Sequence, residues 1–267
     1  DRNGDGALDS ISDMTANGAI GLRIADLDFG LALFKPVSTT DTVSYYALKA
    51  SAAGISLVGV PGVILAATTL SVTVNGASQT STGGATPTGP PPAVINFSGS
   101  GFYVATGPAL ADRLFFDMDS RIIAAAGNVS IGLDFDTDSV AEVTLSSFIS
   151  FEQSFRPNGT SVIKLAMTNL SFVLGDPADP VFSLTGLSGY FLITPQGMAA
   201  SIQYNQYADP AHPLHIYSGG ADITLSGSLA VEINTTNAAV NETFVIDGAG
   251  NTKTLTMSKG PFLRLAG

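Results

Sequence analysis

The chain has 267 residues, no cysteine and only 12% charged side chains, with 22 acidic against 11 basic residues and a net charge of −11. That composition excludes a disulfide framework and a thiolate metal site, and its negative charge disfavours nucleic acid and anionic lipid as partners. Low charge with abundant apolar residues also argues against disorder, so surface polarity must come mainly from hydroxyls and backbone.

In chain order, the first feature is Asp1-Arg2-Asn3-Gly4-Asp5-Gly6-Ala7-Leu8-Asp9. Oxygen ligands at alternate positions with a Gly at the sixth resemble the opening of an EF-hand or dockerin-type calcium loop. Asp1, Asn3, Asp5, the Ala7 carbonyl and Asp9 would surround Ca2+. Asp13 would replace, one residue late, the bidentate acid expected where Ser12 stands. These residues show no basic segment followed by an apolar one, so no signal peptide is expected within them.

Period-two runs then predict strands: Leu22-Arg23-Ile24, Leu27-Asp28-Phe29-Gly30-Leu31, Val129-Ser130-Ile131-Gly132-Leu133, Leu229-Ala230-Val231-Glu232-Ile233 and Leu255-Thr256-Met257. Residues 50–111 carry no charge, yet Gly54, Gly59, Pro61 and Gly62 interrupt them, and Leu70-Ser71-Val72-Thr73-Val74-Asn75 alternates. This is a half-buried strand pattern, and no membrane insertion is expected. Residues 78–92, rich in Pro and Gly, predict an exposed loop insertion, and residues 107–113 hold the best candidate helix, a short connector. Turn signals recur at Asn75-Gly76, Asn158-Gly159, Asp176-Pro177, Asp179-Pro180 and Asp247-Gly248. The chain therefore reads as all-β with almost no helix.

Comparing the chain with itself suggests a duplication. Leu22-x-Ile24-x-x-Leu27-x-Phe29-x-Leu31 matches Leu165-x-Met167-x-x-Leu170-x-Phe172-x-Leu174, and Gly54-Ile55-Ser56-Leu57-Val58 matches Gly189-Tyr190-Phe191-Leu192-Ile193. A third start, Lys253-Thr254-Leu255-Thr256-Met257, resembles Ile163-Lys164-Leu165-Ala166-Met167. The expected organisation is a calcium-type loop and junction over 1–18, a first unit over 19–160 with the insertion 78–92, a second over 161–249 and the start of another over 250–267.

The runs Tyr45-Tyr46-Ala47-Leu48-Lys49-Ala50-Ser51-Ala52, Leu57-Val58-Gly59-Val60-Pro61-Gly62, Asn234 to Phe244 and Gly260-Pro261-Phe262-Leu263-Arg264-Leu265 resemble repeat signatures of very large secreted bacterial exoproteins. That resemblance implies an extracellular or cell-surface setting and many such units. The expected architecture is repeated multi-strand β units stacked end to end, as a chain of β-sandwiches or a β-solenoid-like rod, with adjacent repeats or further copies as partners.

Little in the chain points to catalysis. Asp134, Asp136 and Asp138 would share one face of a strand, as would Asp117 and Asp119, and a solvated face accounts for that spacing better than paired catalytic acids or a second cation. His212 and His215 flank Pro213-Leu214 with no clear third ligand for zinc. No nucleophile elbow, phosphate loop or dinucleotide fingerprint occurs, so no enzyme is expected. The competing expectation is an adhesin module binding surface glycans through Tyr45, Tyr46, Tyr190, Tyr204, Tyr207 and Tyr217.

Overall fold

Alternating side chains make strands that present one apolar and one polar face, and such strands bury neither face until they pair. The computed structural model describes residues 18, 20–37, 42–79, 91–136, 138–156, 159–176, 179–205, 214–218, 221–225 and 227–267, with backbone only at 179, 205, 214–218 and 221–225. Among them the fold is all-β, and its only helical piece is a 3-10 turn at Leu110–Asp112, where the short connector was expected. The strands are β1 (Gly21–Phe34), β2 (Val43–Val58), β3 (Val63–Gln79), β4 (Tyr103–Ala105), β5 (Arg113–Phe115), β6 (Ile122–Leu133), β7 (Val143–Phe155) and β8 (Ser161–Asp176). There follow β9 (Asp179–Thr194), β10 (Gly197–Asn205), β11 (Leu214–Ser218), β12 (Ala221–Leu225), β13 (Ser228–Asn234), β14 (Val240–Val245), β15 (Thr252–Met257) and β16 (Phe262–Ala266).

Ten strands form one antiparallel path, β1-β2-β3-β6-β7-β8-β9-β10-β13-β16, and the β11–β12 hairpin adds to β9. β7 and β8 pair along their length, so strands from both expected units, 19–160 and 161–249, share one sheet. Its register is carried far. One cross-strand row passes through Phe29, Ala50, Val72, Ala125, Phe151, Leu165, Phe191, Ala200, Ile233 and Leu263. Every member is apolar, and the rows two residues away along the strands are nearly so.

A seam crosses this sheet. In β1, Leu22 and Ile24 are exposed on the apolar side, and so are Leu27, Phe29, Leu31 and Leu33, although the two groups differ in sequence parity. Asp26 lies between them with φ 48°, and corresponding left-handed residues stand in β3 (Thr69, φ 53°), β8 (Asn169, φ 53°) and β9 (Gly186, φ 76°). Register shifts accompany them at Thr68/Ser71, Ser146/Phe148 and Met167/Leu170. Each is a bulge-like irregularity that moves the parity by one, so the apolar side stays apolar along the full strand. Thr69, a β-branched residue disfavoured at positive φ, is held because its hydroxyl donates to Thr68 O (2.7 Å) and accepts from Asn128 Nδ2 (2.8 Å). Opposite, Gly127 leaves the space that Leu70 fills; a Cβ there would lie 2.8 Å from Leu70 Cδ2.

Two hairpin-bearing segments cover parts of the opposite, more polar face. The first, residues 91–120 with β4 and β5, packs Phe97, Phe116 and Met118 on Ala32 and Ala47, with Phe34, Phe102 and Ile122 around them. Four rings, Phe34, Phe97, Phe102 and Phe116, stand 5.5–5.9 Å apart in tilted and edge-on contacts, geometry that favours aromatic pairs. The second cover, the β14–β15 hairpin, packs Val240, Phe244, Leu255 and Met257 on Val162, Ala166, Tyr190, Leu192 and Ala199. Sheet side chains supply donors to its backbone: Lys164 Nζ to Thr243 O (3.1 Å), Ser150 Oγ to Val245 O (2.6 Å) and Thr168 Oγ1 to Ile246 O (2.5 Å). The polar face thus satisfies cover carbonyls that would otherwise lose water on docking.

One buried asparagine anchors each cover. Asn75 Nδ2 donates to Ile95 O (2.9 Å) and Ser120 O (3.0 Å), and Asn234 Nδ2 donates to Ala238 O (3.0 Å) and Ser258 O (2.9 Å). Each amide therefore clamps the start and end of the segment that leaves the sheet and returns to it. The rows around them correspond: Ala32, Ala47, Asn75 and Ile122 on one side, Leu192, Ala199, Asn234 and Phe262 on the other. Structurally this relates β1, β2, β3 and β6 to β9, β10, β13 and β16, whereas the leucine pattern in the sequence relates β1 to β8.

Asn234→Ala removes the amide donor to the Ala238 and Ser258 carbonyls and the acceptor of the buried Thr236 N–H and hydroxyl, at roughly 1–3 kcal/mol for each group left unsatisfied. Urea unfolding of the variant is expected to show a loss of about 2–4 kcal/mol, with the β14–β15 hairpin becoming protease-sensitive first. An unchanged midpoint would remove the clamp from the account of this fold.

Candidate functional site

Among the described residues, the densest group of chemically active side chains lies in the β6–β7 turn, not on a strand face. The backbone enters through Asp134 N–H to Gly62 O (3.1 Å) and leaves through Glu142 N–H to Leu133 O (2.9 Å), so β3 and β6 hold both ends. Between them the chain folds on its own acids. Asp134 Oδ2 accepts from Ser139 N (3.0 Å), Asp136 Oδ1 from Asp138 N (3.3 Å), Asp138 Oδ1 from Val140 N (2.7 Å) and Glu142 Oε2 from Phe135 N (2.7 Å). Ser139 is left-handed, φ 75°, which reverses the chain at the sixth position from Asp134.

This turn gathers Asp134, Asp136, Asp138 and Glu142, each offering one carboxylate oxygen within 4.8 Å of the others. Asp134 is buried; Asp136 and Asp138 are exposed. The four acids could hold a metal ion. An all-oxygen set suits a hard cation and offers nothing to a soft one. The backbone N–H of Asp138 draws the Asp136 carboxyl down, but desolvation and the neighbouring charges of Asp138, Glu142 and Asp134 outweigh it and hold the group above its ordinary value.

The site expected from sequence, Asp1, Asn3, Asp5, Ala7, Asp9 and Asp13, lies outside the described residues. Its spacing nevertheless has a counterpart here: acids or amides at the first, third and fifth positions and an acid at the ninth occur in both Asp1 to Asp9 and Asp134 to Glu142. Glu142 was not singled out in the sequence reading. The shared offset of eight residues is the signal that could have found it.

Other candidates are dispersed. Asp117 bonds Lys49 (2.8 Å) and Asp119 is exposed in the irregular stretch after β5, so neither stands on a strand face. His212 lies outside the described residues, and His215 is a backbone position in β11 opposite Thr224. Tyr190 is buried against Phe244 (5.6 Å), while Tyr46 lies on the apolar side of the sheet. An aromatic group that sequence reasoning passed over is exposed on the first cover, where Tyr103 meets Phe115 (5.5 Å) and the Arg113 guanidinium lies 4.4 Å above the tyrosine ring.

Comparison of the chain with family models, with curated proteins and with solved structures found no match. No helix among the described residues is long and apolar enough to cross a membrane.

Because the folded state holds the Asp136 proton to a higher pH than the unfolded chain, this group's contribution to stability falls as pH rises from its ordinary carboxylate value through its raised folded value. In metal-free buffer at neutral pH, Asp136→Asn is expected to raise the urea midpoint. The gain should disappear once acidification protonates Asp136 in both states. A gain that persists unchanged in acid would assign the effect to packing and not to charge.

Proposed function

We propose that this chain is a structural β module of an exported bacterial protein, extracellular or attached to the cell surface, and that neighbouring modules join through the edges of the sheet into a rod or filament. The observation that supports this reading is the pair of open edges: among the described residues no strand pairs with the outer side of β1 or of β16. An unpaired edge presents a row of N–H and C=O groups that another strand can complete. The neighbour is the adjacent repeat of a longer chain or a separate copy. No catalytic role is proposed. A glycan-binding role has weaker support, because Tyr190 is committed to the second cover's core.

The metal we assign to this module is Ca2+. The hard, flexible, carboxylate-rich 134–142 turn suits it, and the same ligand spacing in residues 1–9 would give a second site of the same chemistry. Each ion would neutralise a cluster of acids and stiffen the turn that carries it.

Electron microscopy of the purified chain at rising concentration is expected to show rods lengthening in steps of about 48 Å, ten strands at roughly 4.8 Å each. Leu265→Pro, which interrupts the β16 edge, should stop their growth, and particles of one size at all concentrations would count against edge joining. Calorimetry with CaCl2 is expected to give dissociation constants of roughly 10⁻⁴ to 10⁻³ M. Asp138→Ala and Asp5→Ala should each remove one component, and absence of binding heat would overturn the calcium assignment.

A further inference from the structure

Both described covers sit on the more polar face, and nothing among the described residues covers the apolar one. Phe29, Val72 and Ile202, inside their strands, and Ile131, nearer the end of β6, are still 36–52% exposed there, and Leu263 and Leu265 at one edge are 71–72% exposed. Seven of its strands run 12–17 residues. At about 3.3 Å per residue and 4.8 Å between strands, the face measures on the order of 1,800 Å² with the three shorter strands included. The largest apolar patch of an ordinary monomer is roughly 300–600 Å². The area is about three times larger than solubility usually allows.

We propose that this face is the seat of a second copy of the chain, the two sheets packing apolar side to apolar side as a two-layer sandwich. The area meets what a stable dimer needs. Even if sheet twist limits the overlap to about two thirds, each copy loses about 1,200 Å² and the pair about 2,400 Å², within the range of obligate homodimers. The surface is suited to itself, because large residues alternate with small ones across the strands, as Phe29, Ala50, Val72 and Ala125 do along one row, giving knobs and holes for an identical sheet about 10 Å away. A two-fold axis through the face closes the contact after two copies.

Other occupants fit less well. A bilayer would have to accept open edges at β1 and β16, whose unpaired backbone groups hydrocarbon does not satisfy. The chain's net charge of −11, its lack of tryptophan and the acids of the β6–β7 turn at the rim all oppose an anionic membrane surface. A small apolar ligand requires enclosure, and side chains a third to a half exposed inside the strands enclose nothing. The proposal concerns a different surface from the sheet edges and does not rest on edge joining: face pairing closes at two copies, whereas edge joining grows without limit.

The chain has no cysteine, so single cysteines report which face meets a partner. Ala125→Cys, on the apolar face, is expected to cross-link two copies through a short bis-maleimide, while Ser71→Cys, on the opposite face, is not. Sedimentation of wild type at low concentration should give a species of twice 27.2 kDa. Ile131→Lys, checked for native circular dichroism, should dissociate at least about tenfold more readily, while Ser71→Lys, on the opposite face, should leave the dimer intact. A wild-type monomer, cross-linking through Ser71→Cys but not Ala125→Cys, or co-sedimentation of a monomer with phosphatidylcholine vesicles would each overturn the proposal, the last in favour of a lipid surface.

Discussion

Everything in this fold depends on keeping one side of a long sheet apolar through ten strands in register. Period-two alternation alone does not achieve this over strands of 12–17 residues, because the sequence changes parity partway along β1, β3, β8 and β9. Asp26, Thr69, Asn169 and Gly186 absorb that change by adopting left-handed backbone. Each non-glycine residue there costs about 1–2 kcal/mol. Without the shift, Arg23 and Ser56 would point into the apolar side, and half of each strand would be inverted.

The covers follow from the same alternation. With most large aliphatic groups committed to one side, the other carries mainly Ala, Ser, Thr and a few charged residues beside Val162, Tyr190 and Leu192, a surface on which a hairpin can pack and which is rich in donors. Ser150, Thr168 and Lys164 meet the second cover's carbonyls, and among the described residues no buried side-chain polar atom is left without a partner. Asn75 and Asn234 occupy the points where a chain must leave the sheet and return. A side-chain amide there satisfies two carbonyls that no strand can reach, which explains why a polar residue sits at two well-buried positions.

The acidic turn depends on the sheet in another way. β3, β6 and β7 end together, so Gly62 O and Leu133 O fix the two feet of a nine-residue loop, and Asp134 is drawn under it. Four carboxylates are then closer than their charges favour. The four acids that the turn brings together could hold a metal ion, which would relieve that repulsion.

Much of this was legible before any coordinates. Alternating runs and turn dipeptides determined that the described residues are all-β, with Gly159 and Asp247-Gly248 in hairpin turns and one short helical connector near Leu110. The recurring Leu-x-Ile-x-x-Leu pattern even held the seam, since its two-residue gap contains Asp26 in β1 and Asn169 in β8, although the gap by itself has no evident cause. Tertiary structure decided the rest. Asp134, Asp136 and Asp138 alternate as strand residues would, yet they lie in a turn, because β6 has reached the end of its partners at Leu133 and the acids gain more from backbone N–H groups in a loop than from a ladder. The correspondence of Asn75 with Asn234 is invisible locally, since each is defined by carbonyls 20 to 45 residues away in one case and 4 to 24 in the other. Local patterning sets which side of a strand is apolar; only long-range pairing determines which strands share that side and what is left to cover it.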